Sequence, residues 1–163
     1  MVKISLPKEM LQKEAFKTLP AKEKDEYISN LLKKVLELNP EGITISQIRE
    51  AAGLTYSTIW HHLEILSCTA QGHKRSHGNL DVYFPPGNAY HLNEVEQGKI
   101  HYAFSMIEGD KGKFVAIHEK RENRQGNQYI YGGISIPLNL IEDFIETLEK
   151  AKSHQFDKNQ DSG

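Results

Sequence analysis

The stretch that decides the fold is SQIREAAGLTYSTIWHHLEIL, residues 46–66. Ser46 stands where its hydroxyl can cap a short helix over residues 47–52, by accepting a hydrogen bond from first-turn N–H groups. Gly53 follows and favours the end of that helix, because glycine readily adopts the left-handed backbone that closes many helices. The first half of the stretch therefore predicts a short helix and a tight turn.

The second half of the stretch predicts another helix, over residues 56–67, with Thr55 as its cap. Three large apolar residues fix its buried side, since positions three and four apart share one face of a helix. These residues are Ile59, Leu63 and Leu66. The two helices and the turn form a helix-turn-helix whose second helix keeps a polar and aromatic outer side.

The chain before this stretch predicts a third helix, Ala21–Leu38, with a single buried stripe. The stripe consists of Ile28, Leu31, Leu32 and Val35. Asn-Pro-Glu-Gly at residues 39–42 ends the helix, and residues 43–45 are long enough only for a strand stub. Residues 1–20 are an N-terminal extension in which Met10, Leu11 and Phe16 suggest a short amphipathic helix.

The chain after the helix-turn-helix predicts a β-hairpin. Residues 69–75 and 80–84 are β-prone, and the turn Ser-His-Gly-Asn at residues 76–79 separates them. Such a hairpin beside the second helix would be a wing, with residues 74–80 at its tip. Residues 21–86 thus form one predicted domain, and the Pro-Pro-Gly that ends it predicts a linker over residues 87–97.

The second half of the chain, residues 98–153, predicts a small antiparallel sheet and a helix. Strands are expected near residues 100–107, 113–121 and 128–136, with the apolar face of the first, which carries Tyr102 and Phe104, buried. The helix over residues 138–153 should be capped by Asn139 and Glu142. Residues 154–163 are a polar tail of disordered composition. The fold class is therefore α+β.

The amino-acid composition limits the class of protein and the compartment in which it works. The chain is 38% hydrophobic and 26% charged, with a net charge of −2, as is typical of a soluble globular protein. The absence of a signal peptide or a long apolar run, and a single cysteine, Cys68, predict a cytoplasmic protein without membrane contact. Catalytic and metal-binding motifs are missing from the sequence, so we expect no enzyme, no cofactor and no metal site.

A helix-turn-helix followed by a wing is the arrangement that lays one helix in the major groove of DNA and the wing on the phosphate backbone. Short hydroxyl and imidazole groups suit base edges, and aromatic side chains suit thymine methyl groups. The candidate DNA-contacting residues are Thr55, Tyr56, Ser57, Thr58, Trp60 and His61 on the helix, and Lys74, Arg75 and His77 on the wing.

The segment LTYSTIWHHLEIL, residues 54–66, resembles the recognition region of ArsR- and MarR-like winged-helix regulators. The Ser-Thr start, the His-Leu pair at residues 62–63 and Leu66 follow their pattern, over a resemblance that spans residues 22–86. The resemblance implies that Ser57, Trp60 and His61 touch DNA. Trp60 departs from the small residue common there, which suits a protein-partner surface as well.

The segments YAFSMIEGDKGKFVAIHEKR, residues 102–121, and ISIPLNLIEDFIETLEKA, residues 134–151, resemble a single repeat of the Pur family. The resemblance covers residues 98–152 and implies a homodimer, because such repeats pack in pairs. It also implies single-stranded DNA or RNA binding by a sheet edge with Lys111, Lys113, Lys120 and Arg121. Positions that tend to be charged in that family are Ser105, Ile107 and Ala116 here.

Three functions stay open from the sequence. The first is a nucleoid-associated transcription regulator that binds double-stranded DNA as a homodimer. The second is a winged-helix subunit that holds another protein in a transcription or replication complex. The third is a single-stranded nucleic-acid binder that uses the second domain.

Overall fold

The computed structural model describes residues 3–109 and 112–154 of the chain. Within these ranges the protein is α+β, with five α-helices and two antiparallel sheets. The helices are α1 (Lys13–Lys17), α2 (Ala21–Leu38), α3 (Ile45–Ala52), α4 (Tyr56–Cys68) and α5 (Ile141–Ser153). The strands are β1 (His73–His77), β2 (Leu80–Phe84), β3 (Ala89–Gln97), β4 (Ile100–Gly109), β5 (Gly112–Glu122) and β6 (Gln128–Pro137). None of the described helices is long and apolar enough to cross a membrane.

The apolar stripes of α2, α3 and α4 meet in one core. Leu32 and Val35 of α2, Ile48 of α3 and Ile59 and Leu63 of α4 are all fully buried there. The stripes predicted for α2 and α4 are therefore confirmed. The short α3 buries its one apolar side against the two longer helices in this core.

The strand stub before α3 ties the hairpin to this core. The backbone groups of Ile43 and Tyr83 exchange two hydrogen bonds, with N–O distances of 2.9 and 2.8 Å. Strands β1 and β2 pair antiparallel with His77 opposite Leu80, so the predicted hairpin is present. The β1–β2 hairpin, which we call the wing below, is thereby tied to the helical core. Its first strand covers His73–His77 instead of residues 69–75, and its turn consists of residues 78–79 instead of 76–79.

The predicted cap of α3 is wrong. Thr44, not Ser46, caps the helix, which begins at Ile45. The Thr44 hydroxyl accepts a hydrogen bond from the Gln47 backbone N–H, and the Gln47 side chain accepts one from the Thr44 N–H at 2.8 Å. This reciprocal capping box uses a glutamine three residues after the cap, which Ser46 lacks. The predicted end at Gly53 is confirmed, with a left-handed φ of 68°.

The predicted linker over residues 87–97 is also wrong. Ala89–Gln97 is strand β3, which pairs with β4 and makes a four-stranded sheet of order β3-β4-β5-β6. The connection is only two residues long, with Gln97 opposite Ile100 and Gly98 at a φ of 59°. Glycine permits this tight hairpin turn, and the polar residues of β3 are tolerated because the strand lies at the sheet edge.

The sheet buries the face opposite to the predicted one. His101, Ala103 and Ser105 of β4 are buried, whereas 40% of Tyr102 on the other face is exposed. The Ser105 hydroxyl donates to the backbone oxygen of Thr69, just after α4, at 2.9 Å. The small side chains of this face let α4 approach the sheet closely, which decides the choice of face.

Helix α5 closes the described chain without covering the sheet. A 3₁₀ turn, Leu138–Leu140, precedes it, and no side chain caps its first turn, so the predicted capping by Asn139 and Glu142 is wrong. No residue of α5 is buried in the chain. Its apolar residues Phe144 and Leu148 are 40% and 66% exposed.

Replacing Thr44 by alanine should lower the free energy of unfolding by about 1 kcal/mol, because the Gln47 backbone N–H in the first turn loses the hydroxyl that accepts from it. Urea unfolding followed by circular dichroism measures the change. Thr44→Ser keeps the hydroxyl and should stay close to the original stability. An equal loss in both variants would contradict the capping role of the hydroxyl.

Candidate nucleic-acid interface

Helix α4 has two buried sides and one exposed strip. Ile59 and Leu63 face the helical core, while the side with Ile65, which is also buried, packs on β6. The exposed strip begins with Tyr56 and continues with Trp60, one helical turn later; they are 51% and 47% exposed. Two large aromatic side chains exposed one turn apart on the same helix form a candidate contact surface.

His61 does not belong to that strip. Its Nε2 atom hydrogen-bonds the backbone oxygen of Gln128 in β6, and the residue is half-buried. The predicted outward orientation of His61 is therefore wrong. The prediction is wrong because the four-stranded sheet contacts α4 on a side that carries no apolar stripe in the sequence.

The hydroxyl groups at the start of α4 are used by the helix itself. The Thr55 Oγ1 atom accepts from the Thr58 backbone N–H and lies 2.8 Å from the Thr58 hydroxyl. The predicted cap is thus confirmed, but the two threonines are committed to holding the helix start. Ser57 is exposed and has only a long contact of 3.4 Å with Thr55, so it is the hydroxyl best able to reach a ligand.

The wing is fastened to α4 by a half-buried carboxylate, Glu64. Glu64 accepts from the Lys74 ammonium at 2.8 Å and from the Tyr83 hydroxyl at 2.9 Å. The hydrogen bond with Glu64 raises the pKa of Lys74, and burial followed by the same carboxylate raises that of Tyr83. Lys74, predicted to bind phosphate, is therefore already paired and serves to position the wing.

Arg75, His73 and His77 are exposed on the wing. The Arg75 guanidinium lies 5.5 Å from the centre of the Phe84 ring, and its Nε atom is 3.4 Å from His73. No carboxylate pairs with Arg75 among the described residues. It remains available for an anion, and the ring restricts its freedom.

His62 is a buried histidine that sequence reasoning missed, and it links α4 to α2. His62 hydrogen-bonds Asp25 of α2 through Nε2 and the Thr58 backbone oxygen through Nδ1, both at 2.9 Å. Burial disfavours the imidazolium, but the hydrogen bonds with Asp25 and Thr58 and the Asp25 charge outweigh it and raise the pKa of His62. No sequence signal links Asp25 to His62, because they are 37 residues apart.

The cations proposed for single-strand binding are mostly unavailable. Lys120 is buried and pairs with Glu94 at 2.8 Å, so its predicted place on a binding edge is wrong. The reason is that β3, unexpected from sequence, supplies a carboxylate beside it. Arg121 bonds Glu119 at 2.6 Å and lies 3.3 Å from the centre of the Tyr131 ring.

Lys113 is exposed at the end of β5 and is paired in register with Glu108. Lys111 lies outside the described residues. The two ring nitrogens of the buried His101 lie 3.2–3.3 Å from carboxylate oxygens of Glu94, Glu96 and Glu122. In the described part of the chain no group of three or more His, Cys, Asp or Glu side chains is placed to hold a metal ion.

No protein-family model, curated protein or solved structure matches the chain.

Replacing His62 by glutamine should lower the free energy of unfolding by about 2 kcal/mol near pH 6, the size of a hydrogen bond to a charged group. Since folding raises the pKa of His62, this stabilisation is fully present below about pH 6.5, its unfolded value, and is lost as the pH rises through the folded value. Urea unfolding between about pH 6 and pH 9 tests the sign.

Asp25→Asn serves as the control for this pair. It removes the charge that favours the imidazolium, so it should remove most of the same pH dependence. A His62→Gln deficit that grows with rising pH would contradict the assignment.

Proposed function

We propose that the chain is a DNA-binding transcription regulator that places the start of α4 in the major groove and the wing on the backbone. The observation that supports this most strongly is the relation of the wing to the exposed strip. Tyr56, Trp60 and Glu64 are spaced by four residues and share one face of α4. Because Glu64 anchors Lys74 of the wing, the wing flanks the strip that would read DNA.

Charge distribution sets how such a protein would bind. Arg75 and His77 are the wing groups suited to phosphate, while Lys74 is neutralised by Glu64. With a net charge of −2, the chain lacks a general attraction for DNA. Few phosphate contacts per subunit imply weak binding by a single copy, so useful affinity requires two copies on one site.

The C-terminal domain is suited to bring two copies together. Helix α5 has an exposed apolar side, and the exposed sheet face has a groove of about 310 Å³ lined by Tyr102, Ile117, Tyr131 and Ile134. A helix after a sheet normally covers it, because each has one apolar face to bury. Here both faces stay open, so α5 of one copy is suited to cover the sheet of another in a two-fold dimer.

A protein-binding winged helix is the second candidate. It is favoured by the two large exposed aromatics, Tyr56 and Trp60, which lack a cation beside them on α4 and are typical of protein interfaces. The two functions differ in their response to salt, because displacing counterions from DNA makes only DNA binding strongly salt-dependent. Single-strand binding by the sheet is less favoured, since Lys120 and Arg121 are paired. In this proposal the protein acts in the cytoplasm, on the nucleoid.

DNA binding can be measured by fluorescence anisotropy with duplexes selected from a random library by the intact chain. Affinity should fall with added salt, and Arg75→Ala should weaken all duplexes alike and reduce the salt slope by about 1. Ser57→Ala should instead change the preference between duplexes. Lys17→Ala, a loss of the same charge on α1, is the matched control.

Binding that does not change with salt, or equal effects of Arg75→Ala and Lys17→Ala, would contradict the DNA proposal. Capture of a protein partner that is lost in Trp60→Ala and unaffected by salt would support the second candidate.

Dimerisation can be tested by sedimentation velocity of Leu148→Asp. Leu148 is the most exposed apolar side chain of α5, and a charge there should convert a dimer into the 18.6 kDa monomer. Thr147→Asp places the same charge outside the apolar side of the helix and should leave the dimer intact. A monomeric unmodified chain, or identical behaviour of the two variants, would contradict the proposed interface.

A further inference from the structure

A cleft lies between the start of α4 and the turn that joins β5 to β6. It encloses about 600 Å³, which is within the range of about 300–1,000 Å³ common for small-molecule sites. Its walls come from three regions that are distant in sequence. The side chains that matter here are Phe16, Lys24, Trp60, Asn123 and Asn127.

The apolar part of the cleft is aromatic. Phe16 comes from α1 and Trp60 from α4, and both contribute to the lining. Trp60 leaves 47% of its surface exposed, although indole is among the largest apolar groups. Aromatic faces and edges favour planar rings over branched aliphatic groups.

The polar part of the cleft combines a cation that makes no ion pair within the described ranges with a carboxylate that is already engaged. The lining has one carboxylate among the described residues, Asp25, and His62 already engages it at 2.9 Å. Lys24 makes no ion pair in the described chain; its ammonium lies 5.8 Å from the centre of the Phe16 ring. The indole of Trp60 can only donate. The first turn of α2 adds N–H groups without a side-chain cap.

We propose that this cleft binds a planar aromatic ring that carries an anionic group. The ring lies against Phe16 and Trp60, and the anion lies against Lys24. The Asn123 Oδ1 atom already accepts from two backbone N–H groups of the β5–β6 turn. The NH₂ group of Asn123 and the Asn127 amide provide directional contacts to ring heteroatoms. A nucleotide phosphate and an aromatic carboxylate share this chemistry.

The cleft has a consequence for DNA that depends on the proposed function. Ser57 and Trp60 border both the cleft and the strip that would read DNA. A bound ring anion would therefore change the affinity for duplex DNA. The binding site itself does not depend on that function, because its walls and charges exist without DNA.

Titration with two matched pairs of compounds tests the site. Trp60 is the only tryptophan of the chain, so its fluorescence reports on the cleft directly. The pairs are adenosine monophosphate with adenosine, and nicotinate with nicotinamide; inorganic phosphate is a fifth probe. At least one ring anion should quench Trp60 with saturation, with confirmation by calorimetry. Its neutral counterpart and phosphate should bind at least about tenfold more weakly.

The two pairs also separate the two sources of the anion. Saturation by adenosine monophosphate alone assigns a nucleotide, and saturation by nicotinate alone assigns an aromatic acid. No saturable binding of either anion, or equal binding of a neutral counterpart, would overturn the proposal.

Lys24→Gln should weaken the ring anion that binds by about tenfold, and Lys24→Arg should retain it. Lys22→Gln removes the same charge from an exposed position of α2 outside the lining and should have no effect. Thermal unfolding shows whether each variant folds.

Unchanged binding in a folded Lys24→Gln variant would overturn the role of the ammonium. Duplex affinity, measured on the same samples, separates failure of this site from failure of the DNA proposal.

Discussion

Helix α4 lies between two layers, and this double contact constrains the rest of the structure. One side of the helix fills the core with Ile59 and Leu63, while another rests on the sheet, where His61 bonds the backbone of Gln128. The wing then attaches to a third position, Glu64. On α4 itself, the strip that contains Tyr56 and Trp60 stays exposed, so the fold determines which side chains of this helix can reach a partner.

Much of the helical domain follows from local sequence. The apolar spacing in α2 and α4, the left-handed Gly53 and the Thr55 cap act within a few residues, so a single sequence contains their signal. The cap of α3 was missed because two hydroxyl residues, Thr44 and Ser46, compete there. The reciprocal hydrogen bonds with Gln47 favour Thr44, because only Thr44 has a glutamine three positions after it.

The sheet and the site were less predictable because their determinants lie far apart in the chain. Strand β3 resembles a linker in composition and becomes a strand through pairing with β4. The buried face of the sheet depends on the approach of α4 to small residues such as Ser105. Asp25 lies 37 residues from His62, and Glu94 lies 26 residues from Lys120, so neither pairing has a local signal in the sequence.

The central claim is that two copies of the chain read DNA through the exposed strip of α4 and the wing. Selection of random duplexes by the intact chain, followed by sequencing, tests it most directly. The account predicts enrichment of an inverted repeat with half-site centres about 10 base pairs, or a multiple of that, apart, since two-fold symmetry and helical repeat govern such sites. A selected pool with no shared motif relative to the starting library would contradict it.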